Sequence, residues 1–263
     1  MNIFQKLAAL YREEGITGAF FQRIRSGICR RIGRIFKKGY VSLRRKFGSV
    51  PDAAEFSAYD VYENSPNVID GDLVLYLTFD VEWHKPEHVG MILDTLKEKR
   101  VSATFFLLGH LMEQNADYVR RIRAEGHAVG NHTMYHPALT QCTRGEIKQE
   151  LSQCAALYQE LTGEVMPNIM RPPYGEIDTF AMKALHELGY KTFLWNMHVC
   201  DWKKDQPATW EIFKAHLDTN LKNGAIILQH SFSDETTANI GKYIDYCHAK
   251  GYRFASLEEF PAE

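Results

Sequence analysis

LVLYLTFDVEWH, residues Leu73 to His84, runs six apolar residues and a threonine in near succession and then delivers Asp80 and Glu82. The apolar part, 73–79, reads as a buried strand, and such a strand does not end in two carboxylates without a use for them. In extended chain, residues two apart project to the same side, so Asp80 and Glu82 can face one point while Val81 turns away from it.

The pattern repeats down the chain. Further strands are predicted at 102–108, 127–130, 168–171, 190–195, 225–229 and 252–255, and helices at 86–99, 111–125, 143–162, 178–188, 208–222 and 234–249. Several of these helices are followed by a glycine suited to a C-cap. Regular alternation of this kind implies the α/β class, a parallel sheet with helical cover that is either barrel-like or doubly wound, and about seven strands favour a distorted, incompletely closed (β/α) barrel. In such folds chemistry collects at the carboxyl ends of the strands, which is where Asp80, His132, Arg171, Asp201 and His230 are expected to converge.

His132 and His136 in NHTMYH are spaced to present both imidazoles on one side of a turn, and with one carboxylate they suffice for a catalytic divalent metal that keeps an open position. The spacing alone is weak, since about half an HxxxH pair is expected by chance in such a chain. A second pair, His84 and His88, reads as surface or capping histidines that could touch the edge of the site. One carboxylate could hold the metal while the other accepts a proton from the attacking water.

Taken together, five motifs from about residue 73 to 257 resemble the polysaccharide deacetylases of the NodB-homology type, carbohydrate esterase family four. They are Thr78-Phe79-Asp80-Val81, His132-Thr133-Met134-Tyr135-His136, Arg171-Pro172-Pro173-Tyr174-Gly175, Asp201-Trp202 and Leu228-Gln229-His230. Three positions depart from the family pattern: Val81 stands where a metal-binding aspartate is usual, and His198 and Ser231 also replace aspartates. An acid one step later, as in some members of the wider family, is matched by Glu82. The resemblance implies Asp80 as catalytic base, Arg171 holding it ionised, the Tyr174 backbone N–H at the oxyanion, His230 as general acid oriented by Asp201, and Trp202 and Leu228 walling the acyl-methyl pocket. It implies Glu82, His132 and His136 as metal ligands. Zinc is the first choice, with cobalt, nickel and iron compatible.

The expected activity is metal-dependent N-deacetylation of an N-acetylated sugar, in a lipid-linked or nucleotide-linked saccharide as the more speculative form. The alternatives are an inactive carbohydrate-binding homologue, or a hydrolase of another small amide or O-acyl ester.

Composition divides the chain. Residues 1–50 hold 12 Lys/Arg against 2 Asp/Glu, and the remainder 19 against 31. Ile24, Ile28, Ile32 and Ile35 recur among these arginines and lysines, so 1–50 is expected to be a basic amphipathic helical arm that lies on an anionic membrane surface, packs on the body or meets a second subunit. Residues 51–72 read as a linker and 73–263 as the deacetylase domain. Nucleic acid is not expected as a partner, because no binding module is present and the body is acidic. Five scattered cysteines without a CxxC pair suggest a reducing compartment, and the N-terminus is too interrupted for a signal peptide. The expected location is cytoplasmic, peripheral on the inner membrane surface.

Overall fold

The computed structural model describes residues 51–65, 72–198, 201 and 209–261. The basic arm expected over 1–50 and Trp202 lie outside the described residues. In chain order the elements are α1 (Ala53–Ala58), β1 (Val61–Tyr62), β2 (Val74–Val81), α2 (Pro86–Lys99), β3 (Thr104–Leu107), α3 (Ala116–Ala124), β4 (Ala128–Asn131) and α4 (Arg144–Thr162). There follow β5 (Ile169–Met170), α5 (Thr179–Glu187), β6 (Lys191–Phe193), β7 (Met197–His198), α6 (Trp210–Asn220), β8 (Ala225–His230), α7 (Asp234–Ala249) and β9 (Arg253–Ala255).

All strand pairings are parallel, in the order β1-β6-β5-β4-β3-β2-β8-β7, with β9 alongside the start of β2. The central strand β2 is buried at every position, as a parallel strand with cover on both faces must be. Its odd-numbered residues Leu75, Leu77, Phe79 and Val81 pack outward with Val89, Ile92, Leu93 and Leu96 of α2 and Ile240 and Ile244 of α7. Val74 and Tyr76 pack inward with Phe106, Ile169, Phe193, Ile226 and Phe260. Alternation therefore carries Thr78 and Asp80 onto the inner face, one pleat above the other.

The ring closes only in part, and the chain after β6 does the closing. β6 pairs with β5, and four residues later β7 pairs with β8, so one stretch serves both sides of the gap. Near the opposite end, β1 lies on β6 and its continuation reaches β8 through the Asn64–Ala225 bridge. The barrel expectation is met and all seven expected strands are present; β1 and β7 are additional. Strands of two residues are too short to show a period of two.

Residues 51–65 differ from the expectation of a linker. Asp52 and Glu55 form a capping box on α1, and β1 inserts its side chains into the fold. Tyr62 stacks on Phe193 at 5.5 Å and meets Phe260 edge-on at 5.0 Å. These contacts are distant in sequence, and no local pattern announces them. Among the described residues no helix is long and apolar enough to cross a membrane.

Since Tyr62 fills the barrel interior, Tyr62→Ala is expected to lower unfolding free energy by about 3–5 kcal/mol in urea denaturation. A change of about 0.5 kcal/mol or less, typical of an exposed position, would return this segment to the status of a linker.

Candidate active site

The turn after β4 carries the two histidines, and its shape is imposed by hydrogen bonds that hold its amides. Asn131 Oδ1 accepts from Thr133 N at 2.9 Å, Thr133 Oγ1 accepts from His136 N at 3.0 Å, and Glu150 Oε2 on α4 accepts from Met134 N and Tyr135 N at 3.0 and 2.8 Å. Thr133 and His136 adopt φ of 69° and 56°, costly values for a β-branched and a bulky residue. His132 Nδ1 lies 2.9 Å from the Arg171 carbonyl oxygen. A carbonyl can only accept, so Nδ1 carries a proton and Nε2 is the nitrogen left to present a lone pair.

That lone pair faces two further donors. His132 Nε2 and His136 Nε2 are 3.2 Å apart, and His136 Nε2 lies 3.5 Å from Glu82 Oε1. Ligand atoms about 2.0–2.2 Å from a zinc-sized ion at tetrahedral angles are separated by about 3.3–3.5 Å, so these spacings fit a divalent ion. Glu82, His132 and His136 form the one cluster of this kind among the described residues, all three donor atoms lying within 4.8 Å of one another. Burial, with repulsion from His132 second, pushes His136 down to about 4, which keeps the ring neutral and able to ligate at neutral pH. Val81 is fully buried in the outer core, facing away from the donors as the strand alternation requires.

Asp80 is close to this group but outside it, its Oδ2 3.8 Å from His132 Nε2. Arg171, fully buried, donates from Nη1 to Asp80 Oδ1 at 2.9 Å, from Nε to Phe193 O at 3.1 Å and from Nη2 to Leu194 O at 3.1 Å. Its guanidinium lies 4.2 Å from the centroid of the Phe106 ring. Gly130 makes room for that ring, since a Cβ there would come within 2.5 Å of it. Burial is the largest influence on Asp80 and favours the neutral acid, but the charges of Arg171, His132 and His230 together with the Arg171 hydrogen bond carry its pKa below the ordinary value.

His230, ending β8 opposite Asp80, is locked by Asp201: Oδ1 lies 2.8 Å from Nδ1, and Oδ2 accepts from His230 N and Thr236 Oγ1, both at 2.7 Å. Burial opposes protonation of His230 most strongly, yet the hydrogen bond and charge of Asp201, with Asp80 and Glu82, raise its pKa above 6.5. Leu228 is buried on the inner face one pleat below His230. Tyr174 has φ of 63°, and its exposed ring meets the His136 ring edge-on at 4.6 Å. Gly175 follows because a Cβ there would come within 2.6 Å of the Trp195 ring.

Of the expected residues, Asp80, Glu82, His132, His136, Arg171, Tyr174, Asp201, Leu228 and His230 thus gather at one rim. His84 also reaches the site, 3.2 Å from Glu82 Oε2, whereas His88 pairs with Asp234 at 3.3 Å. Sequence reasoning missed Trp83, Asn131, Glu150 and Thr236. Trp83 is buried at φ of 60° and its Nε1 donates to Leu108 O at 2.9 Å, which turns the chain immediately after Glu82. Asn131 and Glu150 hold backbone amides rather than substrate, and no spacing rule marks them.

An incomplete parallel barrel brings to one rim a His/Glu donor set able to hold a divalent ion, an adjacent arginine-held aspartate and an aspartate-held histidine, the parts a hydrolase needs. Comparison with known proteins agrees. The polysaccharide deacetylase family pattern matches residues 68–193. The chain is 31% identical over 189 residues to the peptidoglycan-N-acetylmuramic acid deacetylase PdaA of Bacillus subtilis, covering 72% of each chain. It is 35% identical over 185 residues to a peptidoglycan-N-acetylglucosamine deacetylase of Bacillus cereus, covering 69% of this chain and 66% of that one. The solved structure of B. subtilis PdaA, a family 4 carbohydrate esterase, superimposes with a TM-score of 0.71 at 30% identity, covering 81% of this chain and 91% of that one. The chain belongs to the polysaccharide deacetylase family.

The raised His230 value sets a pH signature. A group whose folded pKa exceeds its unfolded one stabilises the fold fully below the unfolded value and loses that contribution as pH rises through the folded one. Asp201→Asn is expected to move the His230 titration downward and to destabilise the protein more at pH 5.5 than at pH 9. Histidine NMR titration and urea unfolding measure both, and an unmoved His230 resonance would break the assignment of Asp201 as its partner.

Proposed function

We propose that the protein removes the acetyl group from an N-acetylated hexosamine of a glycan, releasing acetate and a free amine, with a divalent metal ion at Glu82, His132 and His136. The observation that carries this reading is the convergence of those three donor atoms within 4.8 Å, beside an Asp80 that stays outside the set. The named activities of the relatives, on N-acetylated peptidoglycan sugars, support the substrate class. Two imidazoles and a carboxylate suit zinc first, and also cobalt, nickel or iron.

A bound ion supplies Lewis-acid polarisation of the acyl carbonyl and lowers the pKa of water at the site. The chain's residues supply the rest. Asp80, held ionised by Arg171, accepts the proton of the attacking water. The Tyr174 N–H donates toward the oxygen on which negative charge develops. His230, held by Asp201 with Nδ1 occupied, delivers a proton to the departing nitrogen as the C–N bond breaks. Leu228 walls the space for the acyl methyl group.

An inactive homologue would have no need to retain base, acid, arginine and three donors together, despite Val81. The segment 1–50, basic with isoleucines at helical spacing, supports a place of action on the inner face of an anionic membrane and a lipid-linked saccharide as a form of the substrate.

The test is acetate release from N-acetylhexosamine oligomers and lipid-linked glycans by protein loaded in turn with zinc, cobalt, nickel and iron. Chelation is expected to abolish it. Asp80→Asn is expected to lower kcat by about 10²–10⁴-fold with metal content unchanged, and Glu82→Ala to lose the metal. Absence of acetate release from every such donor with every metal would end the proposal.

A further inference from the structure

Glu82 is a longer ligand than the aspartate it replaces, and it sits at the mouth of the barrel. A glutamate has one more rotatable bond to fix, so the site needs something to restrict it. The two carboxylate oxygens have separate neighbours: Oε1 lies 3.5 Å from His136 Nε2, and Oε2 lies 3.2 Å from His84 Nε2. His84 is two residues along from Glu82, its side chain 66% exposed against 18% for Glu82. The His84 ring is not loose, because Phe232 meets it edge-on at 5.2 Å. Phe232 in turn packs on His230 at 5.2 Å, so one half-buried phenyl ring braces both histidines. The cluster of donors that closes on one point consists of Glu82, His132 and His136 and does not include His84.

We infer that His84 is a positioning residue for the metal centre: its ring N–H, braced by Phe232, holds Glu82 Oε2 so that Oε1 points at the ion shared with His132 and His136. Outer hydrogen bonds to metal-ligating groups orient them and are typically worth about 10- to 100-fold in metal affinity. Here the partner is supplied by the second histidine pair, which spacing alone assigns to the surface. His84 thus completes the displaced ligand: a chain whose acid stands at 82 needs a hydrogen-bond donor close by to do what a shorter aspartate side chain achieves by having fewer rotamers.

The inference rests on the reading of Glu82 as a ligand, and the experiment separates the two. Zinc affinity of the full chain is measured by competition with a chromophoric chelator, and the imidazole count at the bound metal by X-ray absorption. His84→Ala is expected to weaken zinc binding by about 10- to 100-fold with the imidazole count unchanged at two, and His84→Gln, which keeps an N–H donor at the same reach, to recover most of the loss. Wild-type affinity in His84→Ala, or equal loss in His84→Gln and His84→Ala, would overturn the positioning role. A count that falls from three to two in His84→Ala would make His84 a ligand and overturn it as well. If Glu82→Ala retains wild-type zinc affinity, the reading of the site fails instead.

Discussion

The buried pair Arg171–Asp80 is the constraint around which the rim is organised. Taking two charges out of water costs several kcal/mol per ion, and mutual attraction repays this only where the remaining donors are satisfied. Arg171 meets that condition by giving Nη1 to Asp80 and Nε and Nη2 to the carbonyls of Phe193 and Leu194. Those two carbonyls belong to the chain that leaves β6 on its way to pair with β8, so the same guanidinium helps to close the barrel. Its own backbone carbonyl sets the tautomer of His132. One residue therefore links the ionisation of Asp80, the lone pair of His132 and the seam of the sheet, and none of the three can be relaxed without disturbing the others.

A second cost is paid in the backbone. Among the described residues six that are not glycine have positive φ, and four of them, Trp83, Thr133, His136 and Tyr174, belong to the rim. Such conformations cost about 1–3 kcal/mol each and persist where surrounding contacts over-determine them. The contacts are identifiable: the Trp83 indole bond to Leu108, the Asn131 and Glu150 bonds to the histidine turn, and the Tyr174 ring against His136. The scaffold that supplies them is close-packed, with outer and inner cores sharing the same strands.

The fold was legible in the sequence to the extent that it is local and periodic. Strand β2 and helices such as α2 and α7 have apolar spacing, and Pro86 at the start of α2 and the Ser233 cap of α7 are start signals that do not depend on tertiary context. The groups that gather at the rim were legible because their types and order along successive strand ends are restrictive. What escaped notice works through position alone. Two-residue strands β1 and β7 have no period, Tyr62 declares itself only against Phe193 and Phe260, and Glu150 is one acid among many until α4 sets it beneath two amides. His84 was readable as a residue near Glu82 but not as its partner, since that depends on a turn built by Trp83.

The departure at Val81 follows from where the strand ends. β2 stays in register with β3 through Val81 opposite Leu107, and at that position alternation sends the side chain into the fully buried outer core between the sheet and the helices. An aspartate at 81 on this backbone would bury a charge in a hydrocarbon layer, a placement that demands either a partner or neutralisation. Valine removes that cost. The acid can then return to the inner face only at 82, where pairing has stopped and Trp83 bends the chain at φ of 60°. From there Glu82 Oε1 comes within 3.5 Å of His136 Nε2, so an outward valine at 81 and an inward acid at 82 are two results of one strand alternation.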